Sequence, residues 1–318
     1  MSALSPQLEQ LYASFSSLNM EGGWHRRFPA LWPQPRENFL PHTWHYADVR
    51  PILDRAGDLV DTEFAERRNL TMFNPVEGNI YSTVRTIVAA YQMVKPGEVA
   101  RAHRHTPNAL RMILEGRGTY TVVDGKEVEM RPGDVLLTPN WCWHAHENKG
   151  AENCYWMDFL DVPLVHLLEP MFYEPHPDGL EQQVERLDEA PIAFRFEETC
   201  AALADAQPSA THGMLKATTL GPAQLATLAL DVIEIEPGQA GLPIRETANA
   251  IYAVMRGSGE LTIGGTASEW RFGDTVAVPA WREHSLRAGP DGAMLLKVSD
   301  RTLMQKLGWY RHQAADGQ

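Results

Sequence analysis

Long apolar runs are absent from this 318-residue chain, and so are the marks of a secretion signal. No run approaches the roughly 20 apolar residues that a bilayer-spanning helix needs. The first residues, MSALSPQLEQLYASFSSL, contain no basic stretch followed by an apolar one. We therefore expect a cytoplasmic protein with no membrane partner.

Cysteine is scarce, with residues only at Cys142, Cys154 and Cys200. An odd number at irregular spacing fits neither a disulfide framework nor a zinc knuckle. We expect all three to be reduced and without a role in metal binding.

Basic residues are also few, because 28 Lys and Arg face 41 Asp and Glu, for a formal net charge of −13. A strongly acidic chain repels nucleic acid and anionic membrane surfaces, so we expect neither as a partner. An anionic small ligand would have to meet a local cluster of arginines.

From about residue 80 the chain consists of short apolar and β-branched runs separated by turn signals. Examples are STVRTIVAAYQMV and ALRMILEGRGTYTVVDGKEVEMRPGDVLLTP, in which VDGK has the Asp-Gly of a tight hairpin. Short, evenly spaced strands are typical of a sandwich or barrel. The Trp- and Pro-rich stretch before them excludes one long helix and predicts a helical and irregular arm.

An internal repeat divides the β region. NAIYAVMRGSGELTIGG and RFGDTVAVPAWREHS align with NALRMILEGRGTYTVVDG and RPGDVLLTPNWCWHA, which predicts two barrels of one design. We predict an N-terminal arm at 1–78, a catalytic barrel at 79–178, a helical linker at 179–215 and a structural barrel at 216–318.

Three histidines of the first repeat suggest a metal site. His103 and His105 are two residues apart, so on a strand both side chains point to one face. His144 follows the strand after the Gly-Asp turn, so it can converge with them. Imidazoles bind Zn, Cu, Fe or Ni, and three protein ligands leave positions open for a substrate.

The second repeat does not keep this pattern. Its counterparts of His103 and His105 are Ile244 and Glu246, and only His284 matches the third histidine. Histidines that merely packed a barrel would be expected in both copies. Glu246 and His284 alone would make a weak metal site, so we expect the second barrel to be structural.

Arg111 lies eight residues after His103 on what we predict to be the same strand, and it shares the parity of His103, so it can point into the same cavity. Its alternative role is a surface ion pair. Because it lies within the apolar run ALRMIL, however, it needs a buried anionic partner.

The motifs PGEVARAHRHTPNALR, EGRGTYTVVDG, RPGDVLLTP and WCWHAH, on a duplicated chain, resemble the bicupin gentisate 1,2-dioxygenase family. That family includes enzymes cleaving salicylate, hydroxynaphthoate and nitrosalicylate. The resemblance implies an all-β bicupin of two double-stranded β-helix (jelly-roll) barrels and a homotetramer. It also implies one Fe(II) per subunit on His103, His105 and His144.

The resemblance further implies that O2 cleaves a 2-hydroxybenzoate between the carboxylate-bearing carbon and the adjacent hydroxyl carbon. Arg111 and His146 match catalytic residues, although His146 has the alternative of an exposed loop position. Arg68 competes with Arg67 for the role of the arm arginine. The predicted substrate-binding residues are Arg111, Gln92, Arg67, Val88, Ala90 and Asn108.

Two departures from the family pattern bear on the substrate. Ala145 replaces an Asp that commonly follows the third histidine, and this loss would disfavour gentisate if that Asp holds its 5-hydroxyl group. Val88 and Ala90 stand where relatives often have Trp and Gly. We therefore expect a salicylate whose 5-substituent is not hydroxyl, such as nitro or halogen.

Two other function classes remain at this point. An oxygen-independent cupin isomerase or hydrolase using Zn or Mn would need the same three histidines. A non-catalytic ligand-binding bicupin is the third class, and no DNA-binding module supports it.

Overall fold

The computed structural model describes residues 5–24, 30–62, 64–65, 67–221 and 225–314. The chain forms two compact units, residues 1–36 and 37–318. The first contains helix α1 (Pro6–Ser16), which begins after the N-cap Ser5 and has a proline in its first turn. No helix in the described ranges has the length and apolar character to cross a bilayer.

The second unit begins with a segment that contributes to both barrels. It contains strand β1 (His42–Trp44), helix α2 (Tyr46–Leu59) and strand β2 (Arg68–Met72). The backbone N–H of Tyr46 donates to Asp274 Oδ1 at 2.8 Å, so a carboxylate from the C-terminal barrel satisfies the first turn of α2.

The N-terminal barrel is built from eight strands, followed by a short helix and a strand. They are β3 (Val88–Val94), β4 (Val99–His105), β5 (Ala109–Glu115), β6 (Thr119–Val123), β7 (Lys126–Met130), β8 (Val135–Thr138), β9 (His144–Asn148), β10 (Cys154–Leu160), α3 (Val162–Leu168) and β11 (Tyr173–Pro175).

A connecting segment then runs to the second barrel. It contains helix α4 and three short strands, so it is less helical than predicted. Its elements are β12 (Glu185–Arg186), β13 (Ala193–Phe194), α4 (Phe196–Ala204), β14 (Pro208–Ser209) and a 3-10 turn (Ala210–His212).

The C-terminal barrel repeats the design with longer strands. Its elements are β15 (Leu215–Thr219), β16 (Ala229–Ile235), β17 (Ile244–Glu246), β18 (Ala250–Ile263), β19 (Thr266–Arg271), β20 (Thr275–Val278), β21 (His284–Ser299), α5 (Arg301–Lys306) and β22 (His312–Ala314). Strand β18 corresponds to β5 and β6 joined, and its pairing with β21 shifts register at bulges near Arg256 and Gly257.

Two six-stranded sheets form the N-terminal barrel. Their orders are β13-β8-β5-β10-β3-β2 and β11-β4-β9-β6-β7-β12. The second barrel is a single bent ten-stranded sheet. The predicted all-β architecture of two jelly-roll barrels with a helical and irregular arm is confirmed, whereas the exact domain boundaries stay predictions.

The barrels share one apolar core, to which the outer faces of their sheets contribute. Tyr91, Met157 and Phe159 on β3 and β10 belong to the same buried cluster as Ile251 and Leu296 on β18 and β21. Side chains of the alternate residues on these strands point into the lumen, the space that each barrel encloses. Packing between the barrels and chemistry inside them therefore use opposite faces of the same strands.

Candidate active site

The three histidines predicted as metal ligands meet on two paired strands of the N-terminal barrel. His103 and His105 lie on β4 and His144 on β9, and His103 pairs directly with His144. One ligand atom from each ring lies within 4.8 Å of the others, and the ring centroids are 4.3 to 5.6 Å apart. The alternation of β4 thus puts both of its histidines on the lumen side.

Each of these rings is oriented by a hydrogen bond to a backbone carbonyl two residues away. The Nδ1 bonds join His103 to Arg101 (3.1 Å), His105 to Pro107 (2.8 Å) and His144 to Cys142 (3.1 Å). Since a carbonyl only accepts, each Nδ1 carries the proton and each Nε2 keeps its lone pair. This is the outer support that histidine ligands need, so the triad can bind a metal ion.

Burial keeps these histidines neutral. Burial and the charge of Arg67 lower the pKa of His103 to about 4, and burial also lowers the pKa values of His105 and His144. Imidazole must be neutral to bind a metal, so at pH 7 the site is ready without releasing a proton.

Arg111 lies on β5 and not, as predicted, on the strand of His103, because β4 ends at His105. It is fully buried and faces the carboxylate of Asp158 on β10. Its Nε is 3.4 Å from Asp158 Oδ1, and its Nη1 donates to Thr138 Oγ1 at 2.9 Å. The expected buried anionic partner is therefore Asp158, which the sequence analysis did not identify. The signal was a single carboxylate inside the apolar run CYWMDFL.

The predicted pocket residues of β3 line the same lumen. Val88, Ala90 and Gln92 alternate along the strand, and Ala90 pairs with Asp158. Gln92 Nε2 donates to Asp158 Oδ2, while Gln92 Oε1 is buried and has no hydrogen-bond partner among the described residues. A buried acceptor without a partner calls for a ligand or water.

His146 lies on β9 two residues after His144, so it also faces the lumen. It is 2% exposed, and the alternative of an exposed loop residue is therefore wrong. Burial and the charge of Arg111 hold the pKa of His146 well below 6.5. Its Nδ1 is buried and lacks a hydrogen-bond partner in the part of the chain described.

Arg67 lies in the bend just before the edge strand β2, and Arg68 is the first residue of that strand. Arg68 is buried on the outer side, where it forms an ion pair with Glu98. Arg67 is half-buried, and its charge lowers the pKa values of His103 and His146, so it belongs to the environment of the triad. The geometry favours Arg67 over Arg68 for a substrate contact.

Asn108 is placed differently from the other predicted substrate-binding residues. Its Nδ2 donates to Asp161 Oδ2 and to Thr227 Oγ1, both at 3.0 Å, and its Oδ1 accepts from the backbone of Asn140 at 3.0 Å. Every polar atom of this side chain already has a protein partner. This geometry favours a structural role over the predicted substrate contact.

The side chain of Ala145 points away from the lumen, because residue 145 alternates with His144 and His146 on β9. An Asp at this position would face the same way. Residue 145 therefore does not contact a substrate hydroxyl in the lumen, contrary to the expectation for the lost Asp.

The equivalent part of the C-terminal barrel is filled by its own side chains. Lys297 and Glu246 form a buried ion pair, Tyr310 donates to Glu246 at 3.0 Å, and Tyr252 lies 2.8 Å from His284 Nε2. The space beside His284 measures only about 10 Å³. Both candidate ligands of a second metal are thus already engaged.

The comparisons with known proteins agree with this arrangement. The family model of the cupin domain matches residues 90–162 and 231–298. A 5-aminosalicylate 1,2-dioxygenase from Comamonas sp is 35% identical, over 96% of this chain and 90% of its own length. A gentisate 1,2-dioxygenase from Streptomyces sp is 32% identical, over 96% and 94%.

Solved structures agree as well. The crystal structure of a salicylate 1,2-dioxygenase from Pseudaminobacter salicylatoxidans superposes with a TM-score of 0.89 at 27% identity, and the match covers 100% of both chains. The sequence identity extends over nearly the full length of these relatives. The chain also has two cupin domains and a three-histidine cluster in one of them, which agrees with the resemblance seen in the sequence. The chain belongs to the bicupin family of gentisate and salicylate 1,2-dioxygenases.

Proposed function

We propose that this protein is an Fe(II)-dependent dioxygenase that cleaves the ring of a 2-hydroxybenzoate, a salicylate with a substituent at position 5. The observation that carries the proposal is the set of three neutral histidines, each with its Nε2 free for a metal, beside the buried Arg111. Bound Fe(II) would supply the electron transfer to O2 and open positions for the substrate's carboxylate and hydroxyl oxygens.

The charges around the triad favour an anionic substrate. Three neutral histidines leave the double charge of a bound metal uncompensated, and Arg67 and Arg111 together exceed the single opposing carboxylate of Asp158. Attraction of this kind is strong in a lumen that excludes water. Arg111 is fixed by Asp158 and Thr138, so it can orient the carboxylate of the substrate without rearranging.

His146 is the group best suited to exchange a proton. It is neutral at pH 7, and its Nδ1 has no hydrogen-bond partner among the described residues. We assign to it the acceptance of a proton from a ring hydroxyl whose acidity a bound metal would raise, as a base with a lowered pKa requires, and the return of that proton during product formation. Gln92 Oε1 provides a second free acceptor for a polar ring substituent.

Val88 and Ala90 on β3 would determine which 5-substituents the pocket accepts. They occupy the lumen positions where relatives often have Trp and Gly. A valine leaves more room than a tryptophan, and an apolar wall discriminates weakly between substituents. The relative from Comamonas sp, which acts on 5-aminosalicylate, supports a 5-substituted salicylate. We expect several such substrates to react.

We also propose a homotetramer, as the resemblance implies. Residues 37–318 expose large apolar side chains, among them Phe64 at 87%, Leu168 at 66% and Phe172 at 67%. Apolar surface of this kind is typical of subunit contacts. Analytical ultracentrifugation at micromolar concentration tests the assembly, and a monomer would contradict it.

The test of function is oxygen uptake by the protein reconstituted anaerobically with Fe(II). The substrate panel is salicylate, gentisate, 5-aminosalicylate, 5-nitrosalicylate, 5-chlorosalicylate and 1-hydroxy-2-naphthoate. We expect one O2 consumed per substrate with at least one 5-substituted salicylate, and no uptake by His105→Ala. The absence of uptake with the whole panel despite bound iron would contradict the proposal and favour an oxygen-independent cupin enzyme.

A further inference from the structure

The two barrels hold each other through a pair of matching hydrogen-bond clusters. In the N-terminal barrel, Asp161 accepts from the backbone of Asn108 at 2.8 Å and from its side chain at 3.0 Å. In the C-terminal barrel, Asp300 accepts from the backbone and the side chain of Asn249, both at 2.8 Å. Each pair joins the start of one strand to the end of another.

A threonine from the opposite barrel completes each cluster. Thr227, just before β16, donates to Asp161 Oδ2 and accepts from Asn108 Nδ2. Thr86, just before β3, donates to Asp300 Oδ2 at 2.5 Å. We call Thr227, Asp161 and Asn108 the N-latch, and Thr86, Asp300 and Asn249 the C-latch.

The N-latch reaches two of the metal-ligand histidines through the loops that precede or follow them. Asn108 directly follows Pro107, whose carbonyl holds the His105 ring at 2.8 Å. Asn108 Oδ1 holds the backbone of Asn140, and that loop leads to the Cys142 carbonyl, which orients His144.

The loop before His144 depends on such support. Trp141 has a φ of 62°, a left-handed conformation that is unfavourable for a bulky residue. Its backbone N–H donates to the carbonyl of His105 at 3.0 Å, which ties the two ligand loops together. Strained backbone of this kind persists only where its surroundings fix it.

We propose that Thr227, a residue of the C-terminal barrel, is a positioning residue for the metal site of the N-terminal barrel. Through Asp161 and Asn108 it is linked to the backbone segments whose Pro107 and Cys142 carbonyls orient His105 and His144. The second barrel, in which Glu246 and His284 are already engaged, thereby contributes to metal retention in the first. This inference rests on the metal-binding part of the proposed function.

The C-latch provides a matched control. Thr227→Val and Thr86→Val each remove one hydroxyl group of the same kind, but only the first lies next to metal-ligand loops. We expect both variants to lower the melting temperature by a similar amount. Only Thr227→Val should release Zn(II) or Fe(II) faster into a chromogenic chelator, by about 3- to 10-fold, less than loss of a group that directly contacts a ligand.

Two further variants complete the test. Thr227→Ser keeps the hydroxyl group and should restore slow release, and Asp161→Asn should accelerate release more than its counterpart Asp300→Asn. Equal release rates in Thr227→Val, Thr86→Val and the wild type would overturn the inference. Altered Zn(II) release without oxygen uptake would retain the inference and reject the dioxygenase, whereas a wild type that retains neither metal would reject both.

Discussion

The two barrels have one scaffold and opposite interiors. At equivalent positions, Arg111 of the first barrel is Tyr252 in the second, and Asp158 is Lys297. The first lumen leaves three Nε2 atoms free, whereas the second closes its space with a lysine, a glutamate and two tyrosines. A buried cation is present in both, Arg111 in the first lumen and Lys297 in the second, and the proposed metal would add a further positive charge to the first.

The outer support is the same in both copies, although only one uses it for ligands. His284 Nδ1 is bonded to the Arg282 carbonyl at 2.9 Å, as His144 is to that of Cys142. Trp281 has a φ of 65°, close to that of Trp141. The loop geometry therefore belongs to the scaffold, and the metal site depends on the few lumen side chains.

The largest difference between the barrels should appear in metal content. His144→Ala removes one of three ligands and should reduce bound metal from one per chain to near zero. His284→Ala changes the equivalent histidine and should leave metal content at one per chain, since its Nε2 is bonded to Tyr252. Elemental analysis after dialysis measures both, and metal loss in His284→Ala would contradict the assignment.

Breaking the buried ion pair of Lys297 and Glu246 in the second barrel should strongly lower the free energy of unfolding. Lys297→Met leaves the buried carboxylate of Glu246 without its cation and should lower the free energy of unfolding by about 3–5 kcal/mol. Urea denaturation measures this loss.

The double variant Lys297→Met with Glu246→Leu removes both charges and should recover most of that stability. Below the unfolding transition, both variants should keep the wild-type KM. A changed KM would mean that the second barrel contributes to substrate binding.

A smaller effect is expected on substrate choice. Val88→Trp fills lumen space next to the site and should reduce kcat/KM for 5-substituted salicylates relative to salicylate by about tenfold. Ala229→Val, at the equivalent position of the second barrel, should leave this ratio unchanged. Steady-state kinetics with both substrates decides, and an unchanged ratio in Val88→Trp would remove Val88 from the pocket.

The smallest expected effect is on the pH dependence of stability, measured on the metal-free protein. Burial lowers the pKa of His284 from 6.5 to about 4, so between these values the unfolded chain binds more protons than the folded one. Its contribution to stability is complete above pH 6.5 and is lost as the pH falls towards 4. His284→Gln should therefore flatten the pH dependence of the urea midpoint between pH 7 and 5, and an unchanged slope would contradict this.

Alternation and repetition made much of the architecture predictable. The spacing of His103 and His105 places both side chains on one face, and the repeated Gly-Asp and Pro-x-Trp segments predict two barrels. These features are local, so a single sequence contains them. Val88, Ala90 and Gln92 were predicted only through the family resemblance, and the alternation of β3 places them on the lumen side in the structure.

Contacts across strands were not predictable in the same way. The pairing of Arg111 with Asp158 depends on the register between β5 and β10, which lie far apart in the chain. The sequence does contain a signal for these buried charges. In MLLKVSD and YWMDFLD, one charged residue, Lys297 or Asp158, lies inside an apolar run before the Asp that ends it. The two latch threonines also have a signal in the sequence. The internal repeat extends upstream to VRTIV and LATLA, in which Thr86 and Thr227 occupy the same position.

The back-to-back packing of the barrels has a consequence for how such enzymes diversify. Because Tyr91 and Met157 pack between the barrels while their neighbours Ala90 and Asp158 face the lumen, mutations that change the pocket leave the shared core intact. A substitution at an apolar lumen position such as Val88 can thus change the pocket while the side chains that pack between the barrels stay the same. In a chain with two barrels of one design, this separation lets the two interiors differ while the packing between the barrels is kept.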